Sequence, residues 1–270
     1  MQHSAGDSGA SGRGSFELTG RTVHVRSMRT KAPEAVVAEL AATLTQRERN
    51  HAAKYCFDHL RVRYILATGG LRILLGRYLN IRPERVEFRY GVKGKPSLAG
   101  SDHQFNMSHS GELALFAFTP ECELGVDVER MRTVDDLFGI AAGAFCPEET
   151  AELRSLPPRL LHQGFFSLWT RKEAYIKAIG QGLYAPLDRF RVSLLPGEPA
   201  RFVHIDGDAA EARSWMLHDL TIHPEYRAAV AYRDAARPLE IWETIEPEEL
   251  LENGPRAAER PPVTAASDGV

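Results

Sequence analysis

The 270-residue chain has few of the features that mark exported, disulfide-stabilised or membrane proteins. Its three cysteines, Cys56, Cys122 and Cys146, are odd in number and form no CxxC pair, which excludes a disulfide framework and the usual zinc sites. No apolar run approaches the roughly 18 residues of a membrane span. The first fifteen residues also lack the apolar core of a secretory signal. We therefore expect a cytoplasmic protein without a membrane segment.

The charge of the chain is unevenly distributed, although its formal net value is only −3. Residues 240–270 hold eight acids and two bases, whereas residues 47–63 and 82–95 each hold five Arg or Lys against two acids. The two basic clusters indicate a polyanionic ligand, either phosphorylated or nucleic acid, or else a solvated surface. A nucleic-acid groove would require exposed aromatics or a recognised binding module, and the sequence offers neither. We expect no nucleic-acid partner.

The order of elements predicts an α+β protein made of two similar halves. The Gly/Ser-rich residues 1–15 and the acidic residues 246–270 are typical of disordered tails. Between them the pattern of two helices followed by strands occurs twice, which predicts an N-terminal half over residues 16–130 and a C-terminal half over residues 131–245. Helices are expected over residues 35–49, 59–79, 147–156 and 161–179, and strands over 86–90, 114–119, 124–128, 189–194, 200–205, 214–221 and 228–232.

The segment GVDVE predicts a strand with two acidic residues on one face. Alternate side chains of a strand share a face, so Asp127 and Glu129 point together while Val126 and Val128 point into the core. Carboxylates about 7 Å apart repel by roughly 2 kcal/mol at an effective dielectric of about 20, and a bound cation reverses that cost. Such oxygen ligands suit Mg²⁺ or Mn²⁺. The alternative is an exposed strand with two solvated acids.

The helix expected over residues 161–179 contains LWTRKEAYIK. Glu173 and Lys177 are spaced i,i+4 with the acid first, the order that favours an ion pair on a helix. Such pairs are common on exposed helices, and the apolar residues here fit a core stripe. The combination of the Glu173 carboxylate with Lys172 and Lys177, beside a strand that could bind a metal ion, is what indicates a functional site.

Two short motifs lie upstream, GKP (Gly94 to Pro96) and FNMSHSG (Phe105 to Gly111). The hydroxyls and imidazole of Ser108, His109 and Ser110, with the nearby backbone N–H groups, are good phosphate partners. A Ser/His nucleophilic pair is the alternative. Adjacent residues rarely converge as nucleophile and base, and the chain has no GxSxG nucleophile elbow. The motif therefore favours phosphate binding over a serine hydrolase.

In this order and spacing, GKP, FNMSHS, GVDVE and LWTRKEAYIKAIGQGL resemble the motif series of the 4′-phosphopantetheinyl transferases, over about residues 45–232. The resemblance is to the long, surfactin-synthetase-activating (Sfp) type and not to the short, trimeric holo-acyl-carrier-protein synthases. It implies a monomeric pseudo-dimer of two α+β halves with the active site in the cleft between them. It also implies Mg²⁺-dependent transfer of 4′-phosphopantetheine from coenzyme A to a serine of an apo carrier protein, with release of adenosine 3′,5′-bisphosphate.

The resemblance also implies roles for individual residues. Asp127, Glu129 and Glu173 would bind Mg²⁺, or Mn²⁺. Glu173 is also the candidate base for the incoming serine, a role that direct metal ligation would compromise. Lys177 would contact the pyrophosphate and neutralise or protonate the leaving group. The residues expected to contact coenzyme A are Arg63, Lys95, Pro96, Ser108, His109, Asp127, Lys172 and Lys177, with Arg63 and His109 on the 3′-phosphate.

The sequence departs from the family pattern upstream of Arg63. Glu48 and His51 stand where some relatives carry lysines, so Arg47, Arg49 or Lys54 would have to substitute in holding the 3′-phosphate.

The implied partners are apo acyl carrier and peptidyl carrier proteins, which supply the serine nucleophile. Residues 180–184 (GQGLY), just beyond Lys177, are a candidate contact for them. One rival function is a metal-dependent phosphodiesterase or nuclease that uses the same carboxylates with water and the basic clusters on nucleic acid. The other is a non-catalytic module that binds coenzyme A or a carrier protein, which would not need to keep all three carboxylates and Lys177.

Overall fold

The chain is described by a computed structural model that covers residues 16–18, 20–182, 185–195 and 197–252 and the backbone of 263–265. The expected α+β class is confirmed, and within these residues no helix is long and apolar enough to cross a membrane. The predicted N-terminal tail, residues 1–15, lies outside the described residues. The helices are α1 (Glu34–Ala42), α2 (Gln46–Ala52), α3 (Asp58–Leu79), α4 (Leu137–Ala144), α5 (Pro147–Ser155), α6 (Leu161–Ile179), α7 (Ala209–Arg213) and α8 (Pro247–Glu252). The strands are β1 (Val23–Arg29), β2 (Phe88–Tyr90), β3 (Pro96–Leu98), β4 (His103–Ser110), β5 (Leu113–Pro120), β6 (Leu124–Arg130), β7 (Phe190–Val192), β8 (Phe202–Ile205), β9 (Trp215–Asp219), β10 (Tyr226–Arg233), β11 (Leu239–Ile241) and β12 (Val263–Ala265).

Two stacked sheets lie between the two longest helices. The first sheet has the strand order β12-β11-β1-β5-β4 and the second the order β6-β10-β9. Helix α3 packs on the outer face of the first sheet, where Leu66 meets Phe116 in one core. Helix α6 packs on the outer face of the second sheet in another core. Between the sheets, apolar side chains such as Val25 and Val230 form a third. The layers therefore run helix, sheet, sheet, helix, and β2-β3 and β7-β8 form two small separate hairpins.

Strand pairing joins the two predicted halves. Strand β6, which precedes residue 131, pairs antiparallel with β10, and β11 pairs parallel with β1. Each large sheet thus contains strands from both sides of the expected boundary, while the division into halves stays a prediction. Helix α8 falls at the start of the predicted C-terminal tail, and its Leu250 is buried against the α3 core. This part of the expected disordered tail is therefore a packed helix.

The expected bounds of α6 are confirmed, whereas the single helix expected over residues 35–49 is wrong. Helix α1 ends at Ala42, and α2 begins after Thr45 with a reciprocal pair of hydrogen bonds. The Thr45 hydroxyl accepts from Glu48 N at 3.3 Å, and the Glu48 carboxylate accepts from Thr45 N at 2.8 Å. This capping box starts a new helix because it satisfies the free N–H groups of its first turn. Glu48 also pairs with the buried Arg72 of α3 at 2.8 Å.

Candidate active site

Strand β6 lies directly against helix α6, and Gly125 makes that contact possible. A Cβ atom at this position would overlap the carbonyl oxygen of Ala174 and the backbone nitrogen of Ala178. These are backbone atoms of a packed helix, so no side chain fits between the two elements here. The next two residues on the same face of the strand, Asp127 and Glu129, are therefore brought to the side of α6.

The alternation predicted for β6 is confirmed. Val126 and Val128 are almost completely buried between the two sheets, on the face opposite Asp127 and Glu129. Their burial fixes the register of the strand, because a slip of one residue would place carboxylates in that apolar core.

Strand β4 runs beside β6 without forming a backbone ladder with it, and polar side chains join the two strands. Asn106, Ser108 and Ser110 take alternate positions along β4, so their side chains share one face of the strand. Their contacts are Val126 N donating to Asn106 Oδ1 (2.9 Å), Ser108 Oγ donating to Asp127 Oδ1 (2.8 Å), Ser110 Oγ donating to Glu129 Oε2 (2.6 Å) and Arg130 N donating to Ser110 Oγ (3.2 Å).

Asp127 is the centre of the site. It is 3% exposed, and its Oδ1 accepts hydrogen bonds from Lys177 Nζ at 2.6 Å and from Ser108 Oγ at 2.8 Å. Lys177 also donates to Ser108 Oγ at 2.8 Å. The other oxygen, Asp127 Oδ2, is buried and has no hydrogen-bond partner within the described residues. A buried carboxylate oxygen without a partner is costly, and it marks a position suited to a cation or donor.

Two further carboxylates lie close to Asp127 and have perturbed pKa values. Burial raises the pKa of Glu173, and the negative charge of Asp127 raises it further, while Lys177 lowers it. Burial also raises the pKa of Glu129, against the hydrogen bond from Ser110 that lowers it. Three carboxylates therefore lie beside two cations, Lys177 and Arg132, the second of which contacts Glu129 at 3.7 Å.

The predicted metal set can be compared with this geometry. Among the residues that the structure describes, no three Asp, Glu, His or Cys side chains converge closely enough to share one metal ion. The carboxylates expected as ligands are brought together but not assembled as a closed site, because the Lys177 ammonium is bonded to Asp127 Oδ1. The unpartnered Asp127 Oδ2 and the raised pKa values of Glu129 and Glu173 nevertheless fit a divalent cation beside Asp127.

His109 and Arg63 connect this cluster to helix α3. His109 retains exposed surface, yet enough protein surrounds its ring to lower its pKa, and the charges of Lys177 and Arg63 lower it further. Arg63 makes no hydrogen bond or ion pair within the described part of the chain. The charges of Lys177 and Arg63 thus act on the same ring, and they would stabilise an anionic ligand bound beside His109.

The GKP motif forms the end of a hairpin whose lysine contacts backbone. Lys95 Nζ donates to Ala178 O at 2.5 Å and to Leu124 O at 3.0 Å, and burial lowers its pKa to about 8. Lys95 therefore fastens the hairpin to the ends of α6 and β6. Pro96 lies opposite Tyr90 in the same hairpin.

The structure does not bring Lys172 to this cluster. It is fully buried, and its ammonium contacts Glu149 at 2.8 Å, Phe190 O at 2.5 Å and Leu187 O at 2.7 Å. With three partners and no exposed surface, the group has no capacity left for a phosphate. The expectation that Lys172 contacts coenzyme A is contradicted by this position in the core around α6.

Three residues have structural roles at the site that the sequence did not indicate; for Ser110 it indicated only phosphate binding. Asn106 and Ser110 lie within FNMSHSG at alternate positions with Ser108, so the period of a strand could have indicated their shared face. Gly125 precedes the acidic pair directly, and a glycine inside a strand often marks a close backbone approach.

Comparison with known proteins identifies the class to which this fold and site belong. Residues 123–231 match a family model described as the 4′-phosphopantetheinyl transferase superfamily. The chain is 38% identical over 224 residues to the 4′-phosphopantetheinyl transferase HetI of Nostoc sp., covering 82% of this chain and 91% of HetI. It is 29% identical over 180 residues to the human L-aminoadipate-semialdehyde dehydrogenase-phosphopantetheinyl transferase, covering 60% of this chain and 58% of that protein. The crystal structure of Thermotoga maritima holo-[acyl-carrier-protein] synthase matches 43% of this chain and 65% of that protein, with a TM-score of 0.33 and 18% identity.

The identity shared with HetI extends over nine-tenths of its length, so the chain belongs to the 4′-phosphopantetheinyl transferase family. It is an enzyme, a 4′-phosphopantetheinyl transferase, as the order of its motifs predicted.

Proposed function

We propose that this enzyme is of the long, Sfp type and moves 4′-phosphopantetheine from coenzyme A to a serine of an apo acyl or peptidyl carrier protein. The serine oxygen forms a bond to the β-phosphorus of the coenzyme A pyrophosphate. The bond from that phosphorus to the bridging oxygen breaks, and adenosine 3′,5′-bisphosphate leaves. The observation that carries the proposal is the buried Asp127 between Lys177 and Ser108, with an unpartnered oxygen and two carboxylates of raised pKa beside it.

Asp127, Glu129 and Glu173 would hold Mg²⁺, with Mn²⁺ as a substitute. The ion would neutralise phosphate oxygens as charge develops on them, which is the main requirement of phosphoryl-type transfer. The excess of carboxylate charge in this cluster supports the assignment.

Glu173 is suited to accept the proton of the carrier serine. It makes no hydrogen bond within the described residues, and without direct ligation to the metal its raised pKa makes it a stronger base than an ordinary carboxylate. Lys177, which is half-buried beside Asp127, would stabilise the pyrophosphate and the departing phosphate.

Coenzyme A would lie against Ser108 and the GKP hairpin, with its 3′-phosphate on Arg63 and His109. Of the three residues considered as further cations, Arg49 is engaged by Leu44 O and Gln46, and Arg47 stacks on the Tyr90 ring at 4.2 Å. Lys54 is exposed and makes no ion pair within the described residues, which favours it for the third contact.

The remaining features of the proposal follow from the family resemblance. The molecule would be a cytoplasmic monomer in which two similar halves form a pseudo-dimer, with the site in the cleft between them. The carrier protein would contact residues 180–184, of which Leu183 and Tyr184 lie outside the described residues.

The test is incubation of the purified enzyme with coenzyme A, Mg²⁺ and a panel of apo carrier proteins, followed by intact mass measurement. A gain of one phosphopantetheinyl group on a carrier, absent with EDTA or with a carrier whose acceptor serine is changed to Ala, is the expected result. Hydrolysis of coenzyme A or of nucleic acid without any modified carrier would refute the proposal and favour a metal-dependent phosphodiesterase.

A further inference from the structure

The β2-β3 hairpin, residues 88–98, stands next to the site helix α6 and beside Gly180 and Gly182, which belong to the proposed carrier contact. Lys95 fastens it to Ala178 O and Leu124 O, as described above. The segment after α6 packs on the hairpin as well, because a Cβ atom at Gly182 would lie 3.6 Å from Lys93 O. Lys177 lies three residues before the end-capping Gly180, or about 4.5 Å along the helix axis. The hairpin tip is therefore about one helical turn beyond the catalytic lysine.

The tip of this hairpin exposes an apolar residue on a closed turn. Gly91 N donates to Lys95 O and Gly94 N donates to Gly91 O, both at 2.9 Å. Gly94 adopts a positive φ of 88°, which a glycine accepts without strain. Val92, held by this turn, is 103% exposed. An apolar side chain presented in this way contributes nothing to the core. Single exposed apolar residues are common on protein surfaces, so the charged groups around Val92 decide what this surface can bind.

The cations on the hairpin lack acidic partners. Arg89 and Lys93 are exposed and form no ion pair within the described part of the chain. Some other exposed arginines are paired, for example Arg189 with Asp206 at 2.7 Å and Arg233 with Glu211 at 3.2 Å. The positive charge of the hairpin is thus available to an external acidic group.

From these observations we infer that the hairpin tip, formed by Arg89, Val92 and Lys93, docks an acidic surface of the carrier protein. The inference rests on the proposed function. Unpaired cations around one exposed apolar side chain match a protein surface that combines carboxylates with an apolar contact. Coenzyme A would lie against residues 94–96 of the same hairpin, and its phosphates already have proposed cations in Arg63, His109 and Lys177, which leaves Arg89 and Lys93 for the carrier protein.

The experiment uses a carrier protein that the wild-type enzyme modifies. If no carrier protein is modified, the proposed function itself has failed, and this outcome is seen before any variant is tested. The double variant Arg89→Glu/Lys93→Glu should raise the KM for that carrier about tenfold, because two attractive contacts become repulsive. The KM for coenzyme A, and kcat at saturating carrier, should stay unchanged. The fall in kcat/KM with added salt that the wild type shows should be weaker or reversed in the variant.

The matched control is Arg159→Glu near the opposite, N-terminal end of α6, which reverses an exposed cation that has no ion pair among the described residues. It should leave both KM values unchanged. Binding of a carrier with its acceptor serine changed to Ala separates docking from chemistry, and it should weaken in parallel with KM. The neutral double variant Arg89→Gln/Lys93→Gln should raise the KM for the carrier by an intermediate factor. It replaces the charge-reversed variant in the test if that variant has a lowered Tm. An unchanged KM for the carrier would overturn the inference, and so would a rise confined to the KM for coenzyme A.

Discussion

Replacing Gly125 by Ala tests how the fold positions the active site. The added methyl group would overlap Ala174 O and Ala178 N and would lie 3.0 Å from Ala178 Cα. None of these atoms belongs to a side chain that could rotate away, so strand β6 and helix α6 must separate. Gly125 does not have a positive φ, and the effect therefore comes from the contact and not from backbone strain.

The size of the effect follows from what must move. Overpacking of a core costs about 1–3 kcal/mol, and we expect the upper end because the displaced element is the 19-residue helix α6. For a chain of this length, about 3 kcal/mol corresponds to a fall in Tm of roughly 6–12 °C. Separation also lengthens the 2.6 Å contact between Lys177 Nζ and Asp127 Oδ1, and a displacement of about 1 Å at a catalytic group lowers the rate about 100-fold.

Thermal melts and transfer kinetics measure both consequences. Gly143→Ala is the matched control, because a Cβ atom there meets nothing within 4 Å. In helix α4 this change should leave the rate unaltered and raise stability by up to about 1 kcal/mol. A Gly125→Ala enzyme with wild-type Tm and wild-type kcat would show that the close contact between β6 and α6 does not position the site.

Three further predictions concern the charged groups. Asp127→Asn should abolish Mg²⁺-dependent transfer and any rise in Tm on adding Mg²⁺. The Tm without metal should change little, because the lost Lys177 ion pair is offset by relief of repulsion from Glu173; a wild-type response to Mg²⁺ would contradict the metal assignment. Lys177→Ala should lower kcat more than it weakens coenzyme A binding, since its charge acts where negative charge develops in the transition state; a higher KM with unchanged kcat would place Lys177 in ground-state binding. The pKa of His109 is lowered in the free enzyme, so the 3′-phosphate must draw a proton onto the ring. The preference for coenzyme A over 3′-dephospho-coenzyme A in kcat/KM should therefore shrink as pH rises, and His109→Ala should remove that pH dependence; a pH-dependent preference that survives in the variant would exclude this role.

The elements that carry chemistry could be predicted from the sequence because their patterns are local. The alternation in GVDVE and the i,i+4 spacing of Glu173 and Lys177 each depend only on the period of one element. Strand β1 escaped detection for the opposite reason. Its polar residues His24 and Arg26 suggest exposure, yet both are buried. The Arg26 guanidinium lies 4.2 Å from the rings of Phe16 and Trp242, and no short window of sequence contains both aromatic partners.

Lysine roles were the least predictable part of the site, because a motif does not say which way each ammonium points. The Lys95 ammonium donates to two backbone carbonyls of distant segments. Because every residue has a backbone carbonyl, the sequence does not indicate such partners. For Lys172 the signal existed. At about 100° per residue, positions four apart on a helix share a face, whereas Lys172 and Lys177 are five apart and diverge by roughly 140°. The helical period alone therefore indicates that Lys177 lies on the same face of the helix as Glu173, whereas Lys172, the sequence neighbour of Glu173, points elsewhere.

The buried pair of Lys172 with Glu149 leads to a prediction that distinguishes a structural lysine from a ligand-binding one. Both side chains are fully buried, and the Glu149 oxygens also accept from Cys146 N at 2.9 Å and Val192 N at 2.8 Å. Lys172→Met leaves that carboxylate without its counter-charge and should cost about 3–5 kcal/mol. Adding Glu149→Gln removes the uncompensated charge while keeping one acceptor oxygen, so the double variant should regain part of the loss. Urea unfolding measures the free energy of unfolding of the wild type and the two variants, and the KM for coenzyme A is taken at a temperature where all three proteins are folded. The KM for coenzyme A should remain at the wild-type value, since the Lys172 ammonium is enclosed by protein. A Lys172→Met enzyme with normal stability and a raised KM for coenzyme A would instead show that Lys172 binds coenzyme A.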